Sequence, residues 1–225
     1  LLGILYSRSY LYAGETAGQT VLMRILNGPT WFLTGLFTAL LVFWLLQGVY
    51  FTLTTLMEPI LQYFNNGNLD SLFIGTLGTI LTVTGVITTL ALPILSDHSK
   101  SKKRKPIVLG CEVGSLVGLL LIITGHTVGL QILMACCLGI FLTGVTPIVM
   151  VLGYETAYPV SEGTTESLMQ LGANGWGLIC LAAVNGVFHG NHMGTMIFFI
   201  AGTVVSLILT AMIKEATLKE RRIES

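Results

Sequence analysis

From Ile25 to Met57 the chain reads ILNGPTWFLTGLFTALLVFWLLQGVYFTLTTLM, 33 residues without Asp, Glu, Lys or Arg. A helix that crosses a bilayer needs about 20 mostly apolar residues, so this run is long enough to span. Three more uncharged runs follow it. Ser71 to Ser96 is 26 residues, Val113 to Tyr154 is 42 and Ser167 to Ile213 is 47. The last two are too long for one crossing, and each contains a Gly-rich turn signal, at Thr124 to Gly129 and at His189 to Gly194. The pattern predicts six spanning helices, at about 33–63, 71–95, 106–124, 129–156, 164–188 and 194–214. The ten-residue alternation of a membrane barrel is absent.

Composition agrees with this reading. Of the 225 residues, 53% are hydrophobic and only 10% are charged, and the mean hydropathy is +0.81. Soluble domains carry about 25% charged residues. An ordinary soluble domain, a disordered chain and a nucleic-acid binder are excluded. The formal net charge is zero, so the information lies in where the charges fall.

All 11 Lys and Arg lie in three places. Arg8 and Arg24 precede the first span. Lys100, Lys102, Lys103, Arg104 and Lys105 lie between the second and third, and Lys214, Lys219, Arg221 and Arg222 follow the sixth. With six spans these are all on one side, which the positive-inside rule makes cytoplasmic. Both termini are therefore expected in the cytoplasm, in a multi-pass protein of the cell membrane. Residues 1–30 read as the end of an earlier helix and a cytoplasmic linker, 31–214 as a six-helix bundle and 215–225 as a cytoplasmic tail. On this reading the chain is the C-terminal part of something longer.

Two connections carry motifs. Between the second and third spans, Asp97-His98-Ser99-Lys100-Ser101-Lys102-Lys103-Arg104-Lys105-Pro106 puts an acid at a helix end, followed by a tight basic loop. This resembles the signature loop of the major facilitator superfamily, which recurs in each six-helix half. It departs from the pattern in having Ala91 or Pro93 near an expected Gly, and His98 after the acid. A carboxylate there can pair with a cation or favour a neighbouring helix N-terminus. It is expected to lie close to the turn around Ser161 to Thr165. The plain alternative is a generic basic loop. Between the fourth and fifth spans, Glu155-x-x-Tyr158-Pro159-x-Ser161-Glu162-Gly163-Thr164 is similar to a stretch of the feline leukaemia virus subgroup C receptor family, a branch of that superfamily. Thr143-Gly144-x-x-Pro147, Tyr50-x-x-x-Thr54-x-Leu56 and Ile208 to Lys214 extend the resemblance in register over residues 40–222. The family's acid four residues before Glu155 is Val151 here. Without the family, Pro159 ends one helix, Ser161 or Thr164 can cap the next, and Glu162 favours its first turn.

The resemblance implies an all-α membrane protein, half of a major facilitator fold made of two inverted three-helix repeats. It implies a secondary transporter working by alternating access on a small organic solute, such as choline or a related amine. Its partners would be the substrate, the bilayer and an N-terminal six-helix half. The basic loop and the acids facing it, namely Asp97, Lys100, Lys103, Arg104, Glu155 and Glu162, would then form a cytoplasmic gate.

Polar residues at membrane depth locate a candidate site. Gln47, Tyr50 and Thr54 share one helix face at i, i+3 and i+7, and Gln170 and Asn174 share another at i and i+4. Amides in lipid are costly, so both faces should look at protein or at a watery cavity. They are a substrate-cavity wall or an interhelical hydrogen-bonding seam. Trp176 is a further candidate wall, since an aromatic face can hold a cationic head group. Gly110, Gly114 and Gly118, and Gly172, Gly175 and Gly177, read as close helix approaches; Pro93 and Pro147 read as kinks. Cys111, Cys136, Cys137 and Cys180 read as free thiols. His98, His126, His189 and His192 have no metal-ligand spacing, and no cofactor is expected. No acid falls at mid-depth: Glu58 lies near the outer edge, and Glu112 about 9 Å inside the cytoplasmic boundary at 1.5 Å per residue. The other readings are a half-size transporter acting as a homodimer, a channel without a visible filter repeat, and an intramembrane hydrolase. The last lacks both Gly-x-Ser-x-Gly and a mid-depth His, so the chain is not read as an enzyme.

Overall fold

The computed structural model describes residues 30–98, 104–157, 162–187 and 191–213, with side chains described from residue 35 and not for 97–98 or 156–157. Six helical segments are long and apolar enough to cross a membrane. The chain is an integral, multi-pass membrane protein.

The first span is α1 (Thr30–Thr55) followed by α2 (Met57–Phe64). It was expected to be one helix and instead breaks at Leu56. Pro59 supplies the reason: it has no N–H to offer the Thr55 carbonyl one turn back. The second and third spans are α3 (Ser71–His98) and α4 (Lys105–Thr124). Helix α3 runs through Pro93, and Pro106 occupies the first turn of α4, where a missing N–H costs nothing. The fourth span is composite, with α5 (Val128–Cys137), a π-helical stretch Leu138–Thr143 and α6 (Thr146–Ala157). Pro147 cannot bond the Thr143 carbonyl, and the helix restarts around it. The fifth and sixth spans are α7 (Glu162–Val187) and α8 (His192–Met212). Thr164 falls inside α7 and so does not cap it, while Ser161 lies outside the described residues.

The turns explain where helices begin. Asn66 and Gly67 take left-handed φ values of 53° and 72°, closing α2 tightly before α3. The Thr127 side chain accepts from the Leu130 N–H at 3.4 Å and Asn191 from the Gly194 N–H at 3.1 Å, each capping the helix that follows.

The packing repeats itself. Spans one and five pack together, as do four and two. Spans one and six pack, as do four and three, and the third packs on the sixth. Exchanging one with four, two with five and three with six leaves this pattern unchanged. Burial obeys the same exchange. The buried share of the apolar stretch is 50% in spans one and four, 39% and 33% in three and six, and 17% and 28% in two and five. Consecutive spans alternate in direction, so the exchange relates two inverted three-helix repeats. This is the six-helix half of a major facilitator fold. Spans one and four form its centre, and spans two and five present the most open faces.

Polar ties fix the third span to the sixth. Glu112 is fully buried. Its Oε1 accepts from Ser206 Oγ at 2.5 Å and Thr210 Oγ1 at 2.9 Å. Two turns away along α4, Lys105 Nζ donates to the Ala211 and Ile213 carbonyls at 2.7 and 2.9 Å, capping the C-terminus of α8. At the opposite end Gln131 Nε2 donates to Asn65 Oδ1 at 2.8 Å, tying the fourth span to the first.

Candidate functional site

The seam between α1 and α7 is built from aromatics and glycines. The Trp44 indole lies over Gly172, Trp176 over Gly48 and Phe51 over Gly177. Each glycine lacks the Cβ that would collide with the ring, so the two backbones approach closely. Trp44 Nε1 also donates to the Met169 carbonyl at 3.1 Å, which satisfies its half-buried N–H. The pairs ascend together in both helices, so α1 and α7 run parallel.

This seam fixes where the polar residues point. At about 100° per residue, Gln47, Tyr50 and Thr54 lie roughly a quarter to a third of a turn from the Trp44–Gly48–Phe51 edge. Gln170 and Asn174 lie roughly a quarter to two-fifths of a turn from the centre of the α7 face that meets α1, made of Met169, Gly172, Trp176, Gly177 and Cys180, in the opposite rotational sense. For parallel helices facing each other, opposite senses mean the same side. Both stripes therefore border one side of the seam. Exposure agrees: Gln47, Tyr50 and Gln170 are half-buried, and Thr54 and Asn174 are exposed. Trp176 is not on the Gln170–Asn174 stripe. It is half-buried at the seam, against Gly48 and close to Cys180. Thr54 borders a second feature, a groove of about 420 Å³ between the first span and α3.

At the basic end, Arg104 Nη1 lies 3.3 Å from Glu155 Oε1, both largely buried, joining the start of α4 to the end of α6. Tyr154, next to Glu155, reaches the Glu166 carboxylate across to α7. Glu162 is exposed in the first turn of α7, where a carboxylate meets the positive end of the helix dipole. Lys100, Lys103 and the Asp97 side chain lie outside the described residues, as do the two ends of the chain and the Tyr158 to Ser161 part of the second motif.

The small residues divide. Gly114 and Gly118 receive Phe141 and Leu138 of the π-helical stretch, whereas Gly110 and Gly175 have no side-chain neighbour within 4 Å. The thiols are free: Cys111 and Cys180 are buried, and Cys136 and Cys137 half-buried. Trp44 and Phe51, which set the seam, were not singled out from sequence. Their only signal there is a spacing complementary to Gly172 and Gly177 on a helix not yet known to be adjacent.

No family model matches the chain. Individual proteins do. The choline/ethanolamine transporter FLVCR1 of Mus musculus is 27% identical over 185 residues, 79% of this chain and 32% of its own length. The choline/ethanolamine transporter flvcr2a of Danio rerio is 29% identical over 173 residues, 74% of this chain and 36% of its own. An uncharacterized MFS-type transporter of Caenorhabditis elegans is 30% identical over 173 residues, 75% of this chain and 29% of its own. The chain spans about a third of the length of these curated relatives.

Proposed function

We propose that this chain, a six-helix half of a major facilitator fold similar to choline/ethanolamine transporters, forms one wall of the substrate pathway in a secondary transporter for small organic amines. The observation that carries the reading is the pair of polar stripes, Gln47–Tyr50–Thr54 and Gln170–Asn174, bordering one side of the α1–α7 seam. Amides and hydroxyls at membrane depth are retained where they meet water, protein or a solute. Tyr50 offers an aromatic face to a cationic head group, and the amides orient a hydroxyl or ammonium group. Trp176 acts one step back, holding the seam.

A second six-helix half completes the pathway by packing on the open faces of α3 and α7. Halves of this kind rock about the bound solute, exposing it to one side and then the other. The basic end is cytoplasmic, with both termini there and the protein in the cell membrane. Arg104 and Glu155, with Glu162 at the head of α7, belong to the contact that closes that side; Asp97, Lys100 and Lys103 complete it. The test is uptake of labelled choline and ethanolamine by cells expressing the natural full-length protein. Saturable uptake above mock-transfected cells is expected; uptake of neither amine overturns the reading.

A further inference from the structure

The groove between the first span and α3 is lined by apolar groups and threonine hydroxyls. Thr54 and Met57 form one wall, and Gly75, Gly78, Thr79, Leu81, Thr82 and Val83 the other. At about 420 Å³ it falls within the usual size range of small-molecule sites. Each threonine has already spent its proton. Thr54 Oγ1 donates to the Tyr50 carbonyl at 2.9 Å, Thr79 to Gly75 at 3.0 Å and Thr82 to Gly78 at 2.9 Å. A hydroxyl whose hydrogen is committed offers only lone pairs. The threonines thus present three acceptor oxygens and no spare proton. Gly75 and Gly78 keep that wall open, with at most a methionine sulfur within 4 Å of where a Cβ would stand.

Charge beyond the Gly75 end of the groove has the matching sign. Glu58 follows Met57 and is exposed. Its Oε1 accepts from Ser71 Oγ at 2.7 Å, and Ser71 is one turn before Gly75 on the same face of α3. A carboxylate therefore stands beyond the end of a groove whose hydroxyls act only as acceptors.

We propose that this groove is a subsite for a hydrogen-bond-donating ammonium group, with Glu58 drawing the cation to its mouth, and that it favours a primary over a quaternary amine. The proposal rests on the transport reading above and refines its substrate. A primary ammonium carries three N–H donors that can meet threonine oxygens. A trimethylammonium carries none, and gains instead from an aromatic face, which Tyr50 offers one turn along from Thr54. The two features together divide the work of recognising amines that differ only in methylation.

The test is the ratio of KM values for uptake of labelled ethanolamine and choline by the natural full-length protein, a ratio that does not depend on expression level. In the Thr79→Val/Thr82→Val variant the ethanolamine KM is expected to rise about 10-fold, as for loss of a charge-assisted hydrogen bond, with the choline KM within about 2-fold. Serine at both positions restores the wild-type ratio. Glu58→Gln raises both KM values, more at low than at high ionic strength. If the valine pair stays inside the cell, Thr82→Ala alone carries the test, with a change in the ratio of about 3-fold expected. An unchanged ratio in variants that still transport overturns the groove proposal alone. A wild-type protein that takes up neither amine overturns the transport reading and this proposal with it.

Discussion

Trp44 and Gly172 interlock: the indole occupies the space where any other residue would place its Cβ. This contact sets the distance between α1 and α7, and with it the positions of the polar stripes beside the seam. Gly172→Val should therefore destabilise the bundle by about 1–3 kcal/mol, the usual cost of overpacking. Gly175→Val places its side chain in open space on the same helix and should be close to neutral. Thermal melting of the detergent-solubilised protein distinguishes them; equal effects would mean that helix propensity, and not the interlock, is being measured.

Glu112 sets the second constraint. With Ser206 and Thr210 it joins α4 to α8 inside the bundle. Glu112→Ala removes the acceptor for two hydroxyls and should cost about 1–3 kcal/mol. Glu112→Gln keeps a carbonyl acceptor and should retain most of the stability. Denaturation in mixed micelles measures both; an alanine variant as stable as wild type would show that the two hydroxyls lose nothing when they turn back to their own helix.

The Arg104–Glu155 pair joins α4 to α6 at 3.3 Å. If this contact closes the basic side, Arg104→Glu and Glu155→Arg should each slow uptake, and the two together should recover a substantial part of it. The single changes place like charges side by side, which the double change relieves. Purely additive losses would deny the pair a role in the transport cycle.

Much of the architecture was legible in the sequence because charge is costly in lipid. The uncharged runs locate the spans to within a few residues, and the glycine-rich turns divide the long ones. The breaks inside spans were less legible. Pro59 and Pro147 announce a lost hydrogen bond, but packing decides how far the disruption spreads. The π-helical stretch lies where Gly139 and Gly144 press against Thr84 and Thr88 of α3, and no local pattern reports that neighbour. Gln47, Tyr50, Gln170 and Asn174 could be found by spacing, because amides stand out in an apolar helix. Thr79 and Thr82 could not. A threonine that bonds its own backbone looks like apolar filler until the groove beside it is seen.

Topology offers a separate check. With the basic end in the cytoplasm, cysteines introduced at Asn66 and Ser225 should lie on opposite sides of the membrane. An impermeant thiol reagent applied to intact cells should label the first and not the second. Labelling of both from outside would overturn the six-span topology and the half-transporter reading with it, and labelling of the second alone would reverse the assignment of the closing contact.

The central claim is that the two stripes beside the α1–α7 seam bind the transported solute. Uptake kinetics of Tyr50→Ala and Asn174→Ala, normalised to protein at the cell surface, test it most directly. Losing one hydrogen bond or cation–π contact of about 1–2 kcal/mol should raise KM about 5- to 30-fold while surface expression holds. Wild-type KM in both variants would contradict the claim, and loss of surface expression in both would reassign the stripes to helix packing.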